Sequence, residues 1–69
     1  METKITNIVL DKDRFTVFAK ILGNEEINTF MPEVTAQDIR NWISERVAYY
    51  QSLHEKEEEL KDELMNIEL

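Results

Sequence analysis

Sixty-nine residues leave room for one small domain, of a size at which a single hydrophobic core is only marginally stabilising. Without cysteine the chain has neither a disulfide framework nor a thiolate zinc site, and no apolar run approaches the roughly 18 residues of a helical membrane span. Fifteen acidic against eight basic residues give a net charge of −7, which argues against the basic stripe of a nucleic-acid binder. Small size without staples points to oligomerisation as the source of further buried surface. The lack of cysteines and of a signal-peptide pattern fits a cytoplasmic protein. The charge is uneven: residues 1–34 hold six acids and four bases, residues 35–54 two of each, and residues 55–69 seven acids and two bases.

The first predicted element is a β-branched strand over residues 4–10, Lys-Ile-Thr-Asn-Ile-Val-Leu, closed by the polar turn Asp11-Lys12-Asp13-Arg14. A second strand follows over 14–22. Phe15, Val17, Ala19 and Ile21 form its more continuous apolar row and are assigned to the core; Phe18 and Leu22 fall on the other face. Those two are either scattered surface residues or, with Phe30, a second contact surface. Gly23-Asn24 is the expected hairpin turn, since either residue accepts positive φ. A third strand is predicted over 26–31 and ends at Pro32, which cannot donate to a ladder.

The helix start is the most specific local signal. Thr35 is the expected N-cap, Asp38 stands three residues on in a shortened capping box, and Val34 and Ile39 occupy the positions of a hydrophobic staple. Neither glycine nor proline occurs from Ala36 onward, so one helix is predicted over 35–69. The fold class is therefore α+β: a three-stranded antiparallel meander over 1–34, then one long helix over 35–69 in the same domain. Such a helix spans roughly 50 Å at about 1.5 Å per residue. Strands of this length reach only about 20–30 Å. Half of the helix must find another partner.

Ile39, Ile43, Arg46, Tyr50, Leu53, Glu57, Leu60, Leu64 and Ile67 follow one another at steps of four and three, the spacing of a coiled-coil seam. With Trp42 they form the candidate oligomer interface. Trp42, Val47, Tyr49 and Tyr50 widen the apolar arc in the first half, enough for two neighbours. Beyond Leu53 the stripe narrows to Leu60, Leu64 and Ile67, which suits packing against another helix. Arg46 and Glu57 interrupt the seam. In a parallel pair each would meet its own copy, which is unfavourable when desolvated. In an antiparallel pair with its two-fold between Gln51 and Ser52, Arg46 meets Glu57, Tyr50 meets Leu53, Ile43 meets Leu60 and Ile39 meets Leu64. An antiparallel homodimer is the expectation this favours; the alternatives are a parallel assembly, a heteromeric seam, or charges lying at solvated edges.

The raw material for catalysis is thin. His54 is the sole histidine and reads as a surface residue of the helix. The run Glu55-Lys56-Glu57-Glu58-Glu59 points its acids in different directions and reads as a solvated face, with Glu57 and Lys61 in the favourable four-apart order. Phosphate loop, nucleophile elbow and dinucleotide fingerprint are all missing from the sequence. Trp42, Tyr49 and Tyr50 read as core or interface rather than a ligand-binding aromatic patch. No enzyme, cofactor or metal is expected.

Three functions fit these features. One is a structural or adaptor protein whose activity is association with itself and with a larger protein. Another is an acidic inhibitor that imitates nucleic acid through the far end of the helix, although Lys56 and Lys61 break its acidic run. The third is a module that binds another protein's helix along the seam. The layout of Ile-Thr-Asn-Ile-Val-Leu, Arg-Phe-Thr-Val-Phe-Ala and Ile-Asn-Thr-Phe, then Thr-Ala-Gln-Asp-Ile-Arg-Asn-Trp-Ile and a charged tail, resembles small accessory proteins of bacterial viruses and prophages. That resemblance covers the general layout, rests on no specific motif and carries over no functional residues. It implies a phage or prophage origin, a host-cytoplasm location, and a role among assembly adaptors or host-protein inhibitors.

Overall fold

A computed structural model describes residues 1–65. Strands β1 (Lys4–Asp11), β2 (Arg14–Ile21) and β3 (Asn24–Phe30) form an antiparallel sheet in the order β1-β2-β3, and helix α1 (Ala36–Leu64) follows. This is the predicted α+β architecture.

Both hairpins close with two-residue loops. Asp11 pairs with Arg14 around Lys12-Asp13, and Lys12 adopts φ 60°. The second loop is Leu22-Gly23 rather than Gly23-Asn24, because Ile21 pairs with Asn24. Leu22 (φ 49°) and Gly23 (φ 83°) both take the left-handed conformation, whose twist matches the flanking strands. Asn24 supports this turn from outside by donating its side-chain amide to the carbonyls of Ile21 and Leu22, each at 3.2 Å. The shift also starts β3 two residues before the predicted Glu26. The strand ends at Phe30, one residue early, where the Val34 amide closes a turn onto the Met31 carbonyl at 3.0 Å around Pro32.

A bulge interrupts β1 between Ile5 and Asn7. Ile5 opposes Ala19, Ile8 opposes Val17 and Leu10 opposes Phe15. The extra residue thus returns Ile5 and Ile8, three apart in sequence, to the same face of the sheet. That face carries the core row of β2, as predicted: Val17, Ala19 and Ile21 are buried and Phe15 is half-buried. Phe30 belongs to this inner face too. It lies opposite Phe15 and meets Trp42 edge-on, with centroids 5.7 Å apart. It therefore does not join Phe18, whose neighbours across the sheet are Asn7 and Ile27.

Helix α1 begins as predicted. Asp38 donates its amide to the Thr35 hydroxyl (3.2 Å), and Thr35 donates its amide to the Asp38 carboxylate (2.9 Å), a complete capping box. Ile39 is buried against the sheet side and Val34 is half-buried. From Gln51 to Met65 every residue is exposed. The molecule measures 57 × 19 × 16 Å, with a radius of gyration of 16.7 Å where a compact chain of this length has about 11 Å.

Candidate interaction surface

Glu26 stands opposite Ala19 and so points its carboxylate inward, beneath the helix. Arg46 descends onto it in a fork: Nε donates to Oε1 and Nη2 to Oε2, both at 2.8 Å. The Tyr50 hydroxyl donates to the same Oε2. Hydrogen bonds from these two residues hold the Glu26 carboxyl below its ordinary range, Arg46 contributing more than Tyr50. In return the carboxylate pushes the Arg46 and Tyr50 values up. The guanidinium carbon also lies 4.5 Å from the ring centroid of Tyr49 and 5.4 Å from that of Tyr50, so the cation is held between a carboxylate and two aromatic rings.

Both interruptions of the heptad seam thus find partners within one chain. Arg46 is taken by Glu26, and Glu57 pairs with Lys61 one turn on, at 2.8 Å. Neither requires the Arg46–Glu57 pair across a two-fold that the register suggested. Sequence reasoning missed Glu26, although a signal existed. Either candidate turn leaves residue 26 on the inner face, and an inward carboxylate calls for a cation on the covering helix.

The remaining interface candidates separate into two groups. Ile39 is buried, and Trp42, Ile43, Arg46 and Tyr50 are half-buried on the first half of the helix. Leu53, Leu60 and Leu64 leave 47, 42 and 60 % of their surface exposed and, with Glu57, Lys61 and Met65, line a shallow apolar strip. Ile67 lies outside the described residues. Tyr49 is exposed beside Arg46. His54 is exposed on the far half, and the described residues hold no group of histidine, cysteine or carboxylate side chains arranged to grip a metal ion. Among the described residues, no helix is long and apolar enough to cross a membrane.

A second uncovered apolar area lies on the sheet. The helix engages β3 through Trp42, Arg46 and Tyr50, and it leaves the inner row of β1 open: Ile5, Ile8 and Leu10 are 43, 49 and 64 % exposed. At the helix side of this row Thr3, Lys4, Ile5, Arg40 and Ile43 line a groove. Comparison with family models, with curated proteins and with solved structures finds no match to this chain.

Proposed function

We propose that this protein acts by association rather than catalysis: a non-enzymatic structural or adaptor protein, of phage or prophage derivation, that pairs with a second copy through its long helix. The paired molecule then offers its outer sheet faces and helix ends to a larger protein. One observation carries this reading. Half of α1 projects past the sheet with a leucine stripe in water, and an isolated helical stretch of about 15 residues is marginal on its own. The size of the buried core supports it. Among the described residues, the buried hydrophobic side chains are Val17, Ala19, Ile21 and Ile39, which is little for a small fold with no cysteine to staple it. The phage derivation rests on the layout of the chain alone.

Sedimentation equilibrium over a wide concentration range tests the reading. The expected result is a homodimer whose dissociation appears only at the dilute end. A chain that stays monomeric at the highest concentration reached defeats it, and the stripe would then await another protein's helix.

A further inference from the structure

The apolar stripe of α1 runs along one side of the helix for its whole length. In the first half that side faces the chain's own sheet, so in the second half the same side faces where a sheet would lie if the chain supplied more of it. The sheet, meanwhile, has an inner row on β1 that its own helix does not cover. The unmet needs are complementary. We infer that, in the dimer, the far half of each helix lies over the β1 inner row of the partner, so that each sheet is roofed by two antiparallel helices from different chains. This rests on the association proposed above and names the surface it uses.

Three observations support a second copy as the occupant. The first is area. The chain exposes 5546 Å², about 1,000 Å² more than a compact monomer of 8.2 kDa would. A stable interface buries about 800 Å² per partner, so the excess is of the right size. The second is width. Three strands about 4.8 Å apart present more breadth than one helix about 10 Å across can cover, and the free strip lies along β1. The third is charge. The groove carries Lys4, itself paired with Glu2 at 3.3 Å, and Arg40, while residues 55–65 hold six acids and two bases. The segment that would arrive is the acidic one.

The end of the sheet sets the register. Tyr50 is the last helical residue held to it, through Glu26, and Gln51 begins the exposed stretch. Two sheets related by a two-fold normal to the helix pair abut without overlapping when the axis passes near Gln51 and Ser52. Leu60 of the partner subunit then comes beside Ile43 and Ile5, and Glu63 of the partner subunit beside Arg40. Within one chain, Leu60 stands about 25 Å along the helix from Ile43, too far to reach the groove.

The cysteine-free sequence makes the test clean. Ile5→Cys and Leu60→Cys proteins are prepared separately, mixed, allowed to exchange and oxidised. The expected product is a covalent heterodimer, about tenfold more abundant in the mixture than the covalent dimer either variant forms alone, because complex formation raises the local thiol concentration. Arg40→Cys with Glu63→Cys, both at exposed positions, repeats the test should an apolar substitution disturb folding. Self-linking of Leu60→Cys at the rate of the mixture overturns the assignment and points to paired far halves instead. Absence of linkage in both mixtures, with the proteins sedimenting as dimers, also overturns it. In either case the association itself stands. A monomer by sedimentation removes the association as well.

Discussion

Glu26 shows how a single inward carboxylate organises its surroundings. Its Arg46 and Tyr50 partners join β3 to the helix at the point where α1 is about to leave the sheet. Because the folded-state pKa of Glu26 is depressed below its ordinary 4.5, the stabilisation it contributes is fully present above that value and disappears as pH falls through the lowered one. Glu26→Gln should lower the urea midpoint at pH 7, and the difference from the parent protein should shrink on acidification below about pH 4.5. Denaturation curves collected from pH 7 down to pH 3 would show it. Coincident curves for the two proteins would mean that the fork adds nothing to stability, and a constant offset would mean that the loss is not tied to the Glu26 charge. Leu22, in contrast, is a residue the turn tolerates rather than requires, since its left-handed conformation costs a non-glycine side chain roughly 1 kcal/mol.

At the level of elements, the helix start was the most legible part of the chain. Thr35 and Asp38 form the reciprocal bonds that their spacing implies, and Thr35→Ala should cost about 1 kcal/mol in the free energy of unfolding. A loss below a few tenths, measured by chemical denaturation, would show that packing of Ile39 alone fixes the helix entry. The three strands and the inward row Val17, Ala19, Ile21 were legible for the same reason: short-range pattern decides them. What was not legible depended on long-range register. Asn24 can adopt positive φ more readily than Leu22, so local preference placed the turn one residue late; the outcome follows from pairing along all of β2. The bulge in β1 likewise hides in the sequence, where Ile5 and Ile8 break strict alternation without announcing which residue is extra. Glu57 with Lys61 was readable from spacing, whereas Arg46 with Glu26 required the sheet.

For the whole molecule, folding and pairing are expected to be one linked process. A partner that binds only the folded chain raises its stability by mass action, so the thermal midpoint should rise with protein concentration. Melting followed by circular dichroism at several concentrations checks this, and a constant midpoint would mean that the small core suffices by itself. The sheet edges govern what else can happen when many copies meet. An open, regular edge strand invites another strand to add beside it, then another, without limit. In β1 the displaced ladder at Thr6 breaks the run of evenly presented amides and carbonyls along such an edge, and at the opposite edge β3 carries Glu25 and Glu26 directly after its first residue, Asn24. The bulge that turns Ile5 toward the inner face therefore also guards against fibrous growth: a chain can expose apolar surface to a chosen neighbour while its backbone discourages endless queues.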